Sequence, residues 1–342
     1  MADFESNIPK DRFRPAEIDS AKSEEINRPS LTFWQDAWMR VRKNKGALVS
    51  LIIMAIVILM AFLGPLISGK EFDTQKVAHN NLPPKIQGLE NISWLPFDGM
   101  KTNKAGKEID MYEVKKVDEY YWFGTDALGR DLFTRVWKGT QISLYIAFLA
   151  AVIDMIIGVA YGAISGYYGG RLDNVMQRIT EILVGIPLMI VVILMILVLQ
   201  PGIISITVAL TITGWVGMAR VVRAQTLKLK EQEFVLASKT LGNSNGKIIS
   251  KHLLPNLAGV IIINTMFTIP NAVFFEAFLS FIGLGLQDPY ASLGTLIDEG
   301  FKVLRLHPHE MIIPAVIISI IMITFNMLAD GLRDALDPKM RD

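Results

Sequence analysis

Six windows of about 20 residues in this chain are almost free of charge. That pattern decides most of what the chain can become. A helix rises about 1.5 Å per residue, so some 20 apolar residues cross the roughly 30 Å hydrocarbon core of a bilayer. The windows are residues 47–67, 143–165, 179–199, 203–222, 257–281 and 311–332. Over all 342 residues the apolar share is 51% and the charged share 20%. Those means alone do not separate a membrane protein from a soluble one; the segregation does. Backbone amides inside lipid must be bonded within their own segment, which selects helices here. The expectation is an all-α, polytopic membrane protein with six transmembrane helices.

The first window is no cleaved leader, because it starts after 46 residues and lacks a short apolar stretch near the terminus. Residues 1–30 are polar, mixed in charge and interrupted by Pro9, Pro15 and Pro29, as in a loose tail. Residues 31–45 set Phe33, Trp34, Ala37, Trp38 and Val41 on one face beside Arg40, Arg42, Lys43 and Lys45. That suits an amphipathic helix in the membrane interface. Residues 1–46 are thus read as a cytoplasmic tail with an interfacial helix, and 47–67 as the first span. Basic residues crowd the short segments before span one, between spans two and three, between spans four and five, and after span six. The positive-inside rule puts these segments and both termini in the cytoplasm. Residues 68–142 carry balanced charge and fall outside as an extracytoplasmic insertion. Residues 143–342 form the core with spans two to six. There are no cysteines, which fits either redox compartment. The net charge of +1 argues against nucleic acid as a partner.

The polar stretch between spans four and five, residues 223–256, has its own pattern. Glu231 and Glu233 open a short helix, where the dipole favours acids. Gly242 suits the left-handed residue that ends it, and residues 243–246 are turn chemistry. Lys247 to Leu254 resumes a helix, and Pro255 is expected to stop it. The expected object is a pair of short helices hinged at a glycine, a rigid knob on the cytoplasmic face.

This knob resembles the "EAA" coupling loop of ABC importer permeases, in which Glu-Ala-Ala, three residues, Gly, nine residues and Ile-x-Leu-Pro follow in order. The aligned positions are Leu236, Ala237, Ser238, Gly242, His252, Leu254 and Pro255. The spacing is intact, and the leading acid is lost at Leu236. Gly124-Thr-Asp-Ala-Leu-Gly-Arg-Asp131 and Ser165-Gly-Tyr-Tyr-Gly-Gly170 resemble signatures of dipeptide and oligopeptide permeases. The run Phe275 to Gly285 and the ending Gly331 to Pro338 fit the same family. The chain is similar to the C-type permease subunit of an oligopeptide importer from about Leu31 onward. That resemblance implies a type I ABC importer permease in a bacterial or archaeal plasma membrane. It implies a homologous B-type permease subunit, two ABC ATPase subunits and an extracytoplasmic peptide-binding protein as partners. It also implies a non-catalytic chain without cofactor, coupled to the ATPases through residues 231–256. Glu231, Glu233, Ala237, Ser238, Gly242, Lys247, Leu254 and Pro255 are the coupling candidates. Nickel or another small solute stays open as cargo, since related permeases share these motifs.

Other residues carry weaker signals. Asp154 lies inside span two, where an acid is costly and is a pathway candidate by default; a structural pairing is the alternative. Glu276 sits near the outer end of span five, either as an interfacial cap or as a contact for substrate or the docked binding protein. Gly158, Gly162 and Gly166 recur every four residues and let another helix approach. Asn264 and Asn326 are expected to bond across helices. A proton-coupled secondary transporter would need inverted repeats and more intramembrane acids, and neither is visible. Gly242-x-x-x-Gly246-Lys247 lacks a spacer residue and the Ser/Thr of a phosphate loop. No nucleophile or base accompanies Asp126, Arg130 and Asp131, so residues 124–131 read as a turn leading to a helix capped near Asp131. The spacing of His307, His309 and Glu310 fits no common metal site.

Overall fold

The computed structural model describes residues 33–90, 96–102 and 107–336. The tail before Phe33, part of the amphipathic stretch and the end of the Gly331 to Pro338 run lie outside the described residues. The helices are α1 (Phe33–Lys43), α2 (Lys45–Ser68), α3 (Met111–Lys115), α4 (Leu132–Tyr168), α5 (Gly170–Gly185), α6 (Leu188–Leu199), α7 (Ile203–Leu229), α8 (Glu233–Thr240), α9 (Asn245–Ile248), α10 (Leu254–Leu279), α11 (Leu293–Val303) and α12 (Pro308–Leu336). By length and composition five helices can each cross a membrane, and the bent pair α5–α6 makes a sixth crossing if it counts as one span.

Three boundaries depart from the sequence reading. Span two starts at Leu132 rather than 143, because Asp131 caps the helix by accepting from the Thr134 amide at 2.9 Å. Span three is not straight. α5 and α6 meet at 81° across Ile186 and Pro187. The residue before proline is pushed to extended geometry, and Ile186 sits at φ −84°, ψ 121°. Span five does not begin after Pro255. Helical backbone runs on from α9 into α10 through a π-turn at Ile249–Leu253. Pro255 lies at the start of α10, where the wide turn accommodates an imino nitrogen that donates no bond. The proline therefore does not stop the helix.

The main core draws on α2, α4, α6, α7, α10, α11 and α12. Ile146, Val192, Ile206, Ala209, Val273, Leu293 and Ile321 are fully buried there. The outward faces stay apolar and exposed, for example Ile56, Leu59 and Phe62 of α2 and Leu197 and Val198 of α6. Such faces suit lipid as solvent. α4 and α7 make the most extensive contact. A Cβ on Gly158 would fall 2.6 Å from Met218 Cβ, on Gly162 2.4 Å from the Ala219 carbonyl oxygen, and on Gly166 2.8 Å from the Arg223 oxygen. The glycine ladder is the groove in which α7 lies.

Between α2 and α4 the chain makes a small unit, called the outer unit for the side that its sequence is expected to face. An antiparallel ribbon pairs β1 (Met100–Thr102) with β2 (Glu108–Asp110), and α3 follows with Asp110 as its cap. Its own core is Leu82, Tyr112, Val117 and Tyr121. This ribbon is the only sheet among the described residues.

Candidate functional site

Two places carry the sequence candidates: the knob after α7 and a cavity between α4, α7 and α10. The knob grows from the end of α7. Lys230 turns back and donates to the Gly166 carbonyl at 2.9 Å, which ties α7 to the end of α4. Glu233 opens α8 in its first turn, whereas Glu231 lies before the Gln232 cap and outside the helix. The expectation of two acids in the first turn therefore holds for Glu233 alone. Gly242 takes φ +78°. Its amide donates to the Lys239 carbonyl at 3.0 Å, and the next amide, Asn243, reaches back to Ser238 at 3.3 Å. This pair of bonds is a Schellman closure, and the left-handed residue it requires is the glycine. Asn243 Nδ2 adds a bond to Ser238 Oγ at 3.0 Å.

The inner face of the knob is packed and its outer face is bare. Val235, Ile248 and Leu253 are buried against Tyr167 and Leu229. Tyr167 of α4 also donates to Asn245 Oδ1 at 2.9 Å. Ser238 is buried, while Glu231, Glu233, Ala237, Gly242, Lys247 and Pro255 are exposed and Leu254 is half-buried. Phe234 and Leu236 are exposed too, and Leu241, beside the glycine, is 82% exposed. Large apolar side chains on a polar loop mark a surface built to be covered.

Below the knob, Arg223 of α7 grips Asp173 of α5 through two bonds of 2.6 Å, and Ser165 of α4 donates to the same carboxylate at 2.5 Å. The bidentate fork fixes three helices at the root of the knob. The sequence reading missed it.

The cavity has a volume of about 530 Å³ and is lined by Asp154, Leu188, Thr213, Gly214, Asn264, Phe267, Asn271 and Phe275, among others. Asp154 is 5% exposed, and its Oδ1 has no hydrogen-bond partner. Structural pairing, one of its two sequence readings, finds no partner for that oxygen. Asn264 does not bond across helices: its Nδ2 donates to Val260 O of its own helix at 2.8 Å. Glu276 is neither at an interface nor open to a pathway. It is fully buried, and accepts from Ser143 Oγ of α4 at 2.7 Å and Ser280 Oγ at 2.8 Å. Ser143 Oγ in turn accepts from the Leu293 amide at 3.2 Å. Glu276 therefore fastens α4, α10 and the start of α11, because a buried carboxyl must be bonded to persist.

The motif at residues 124–131 is a clamp. Asp126 accepts from Arg130 Nε at 2.6 Å and from Arg135. Arg130 reaches Asp288 at 2.7 Å and Glu299 at 3.3 Å, and Arg135 reaches Glu299 at 3.1 Å. Both guanidiniums are buried. Reading residues 124–131 as turn and cap gave the local geometry and missed these partners more than 150 residues away in sequence. Lys101 Nζ approaches His307 Nε2 at 3.3 Å, and no metal-holding group of His, Asp or Glu occurs among the described residues.

The described residues form a bundle of five or six candidate membrane crossings with a packed polar hairpin and a cavity lined in part by polar side chains. Residues 158–342 match the family model "Binding-protein-dependent transport system inner membrane component", and residues 32–84 match "N-terminal TM domain of oligopeptide transport permease C". The chain is 43% identical to the oligopeptide transport system permease protein OppC of Bacillus subtilis, covering 98% of this chain and 99% of the relative. It is 43% identical to DppC, the dipeptide transport system permease protein of the same organism, over 98% and 95% of the two chains. Against DppC of Lactococcus lactis the identity is 46%, over 97% and 98%. The fold matches the MetNI methionine ABC transporter in an inward-facing conformation, with TM-score 0.50 and 20% identity over 59% of this chain and 96% of that one. The chain belongs to the ABC importer permease family, among the inner-membrane components of binding-protein-dependent transport systems.

Proposed function

We propose that this chain forms half of a translocation path for short peptides and receives the ATPase stroke through residues 231–256. It works beside a homologous permease subunit, with two ABC ATPase subunits inside and a peptide-binding protein outside. Both termini and the knob face the cytoplasm, and residues 69–131 face out. ATP is bound and hydrolysed by the partner subunits, and this chain contributes no chemistry of its own. The cavity at Asp154 is its share of the path. The names and near full-length coverage of the relatives support peptides as the cargo class.

The observation that carries the coupling role is the knob itself. Its inner face is bolted to α4 and α7, and its tip bears exposed Phe234, Leu236 and Leu241. A push on the tip therefore reaches the two helices that wall the cavity. Gly242→Val tests this. A β-branched residue at φ +78° is strongly disfavoured, although there is open space around the position. Peptide uptake should fall more than about tenfold while membrane abundance stays near normal, and Gly242→Ala should be milder. Normal uptake and ATPase association in the valine variant would reject the coupling assignment.

A further inference from the structure

The cavity described above holds one ionisable side chain among its lining residues, Asp154. Its other polar walls are neutral: Thr213 from α7, and Asn264, Thr268 and Asn271 from α10. Thr268 donates to the Asn264 carbonyl at 3.0 Å, so its hydroxyl proton is committed to its own helix. Asn264 commits a side-chain proton likewise, to Val260 at 2.8 Å. The acid is walled on the α7 side by Gly214. A Cβ there would lie 2.4 Å from Asp154 Oδ2, so only a residue without a side chain leaves room for the carboxyl. Oδ1 is buried and unbonded, and no Lys, Arg or His lines the space to neutralise it. Burying a carboxyl in this state is unfavourable unless some other group completes it during the working cycle.

We propose that Asp154 is a specificity-determining residue that receives the α-ammonium group of the passing peptide. The inference rests on the peptide-path reading given above. A peptide always carries that cation unless its amino end is blocked, whereas its side chains vary. A carboxylate among neutral amides and hydroxyls thus recognises the constant part of a variable cargo. Phe267 and Phe275 on the same lining offer apolar and π surface to whatever side chain follows. The contact is one charge-assisted bond, strong enough to orient a cargo and weak enough to release it.

The test uses the full importer with both permease subunits and the ATPases, purified without the binding protein so that its selectivity does not intervene. Binding of a labelled tripeptide is compared with binding of its N-acetylated form. The wild-type complex should bind the free-amine form at least tenfold more tightly. Asp154→Asn should bring the two forms within about twofold, by weakening only the free-amine form. Asp154→Glu should keep part of the preference. Equal binding of the two forms by wild type would overturn the inference even if the Asn variant failed to assemble. So would a preference that survives unchanged in Asp154→Asn, which would leave the acid a proton carrier or a packing element. If neither form binds and uptake with the binding protein is also absent, the peptide reading itself fails. Uptake without amine preference sinks only the role of Asp154.

Discussion

The knob at the end of α7 and the clamp before α4 are both built around a glycine-bearing turn and a helix start, yet they are held in different ways. The knob stands on a small apolar cluster, Val235, Ile248 and Leu253, with a few neutral hydrogen bonds. Beyond Lys230, its charged Glu231, Glu233, Lys239, Lys247 and Lys251 are exposed. The clamp buries two arginines and Asp126 and ties them to Glu299, with a further bond from Arg130 to the more exposed Asp288. Apolar contacts slide at little cost, whereas a buried ion network breaks at high cost. The difference fits the proposed roles, a knob that transmits motion and a clamp that holds the unit between α2 and α4 in register with α11. The π-turn at Ile249–Leu253 lies on the knob side, where a helix that carries one irregular turn can flex without losing its ladder.

The largest expected effect falls on the clamp. Arg135→Met removes a fully buried cation and leaves Asp126 and Glu299 with less compensation. Breaking one side of a buried pair costs about 3–5 kcal/mol, so membrane abundance should collapse and proteolysis of the outer unit should rise. If abundance and protease resistance match wild type, the clamp is not the rigid half of the contrast. Gly242→Val comes next and should do the reverse, sparing abundance and losing transport.

A smaller effect concerns acid. Burial, then the charges of Lys101 and Lys115, lower the His307 pKa to about 4, from an ordinary value near 6.5. A histidine depressed in the folded state favours the neutral form. Its contribution is complete above about pH 6.5 and is lost as pH falls toward 4. Burial also lowers His79 of the outer unit, which adds slope of the same sign. His307→Gln should therefore flatten, and not abolish, the fall in thermal midpoint of the purified protein between pH 6.5 and 4. An unchanged slope would mean that His307 does not carry this acid sensitivity.

Much of the fold was legible because lipid leaves few choices. Apolar length located the five helices long enough to cross a membrane and the bent pair α5–α6, though not all of their boundaries, and Gly158, Gly162 and Gly166 announced the groove that receives α7. The knob was legible because Gly242 at fixed spacing is a local signal, and its φ of +78° needs nothing distant. Other features were not. The bend at Ile186-Pro187 and the continuation through Pro255 depend on whether neighbouring backbone can absorb a proline, which a window of hydropathy does not report. The burial of Glu276 depends on Ser143, 133 residues away in sequence, and on the start of α11. The same holds for Asp173 with Arg223, and for Arg130 with Glu299. One-dimensional spacing names the charges without naming their partners.

The central claim is that the knob is the surface on which the ATPase acts. Leu241 is its most exposed apolar side chain, and the chain has no native cysteine. Leu241→Cys in the assembled importer, treated with a short bifunctional thiol reagent, reads the contact directly. The account predicts a cross-link to an ATPase subunit, formed from the cytoplasmic side and changed in yield when ATP is trapped. A cross-link to the extracytoplasmic binding protein, or none to either ATPase subunit, would contradict it.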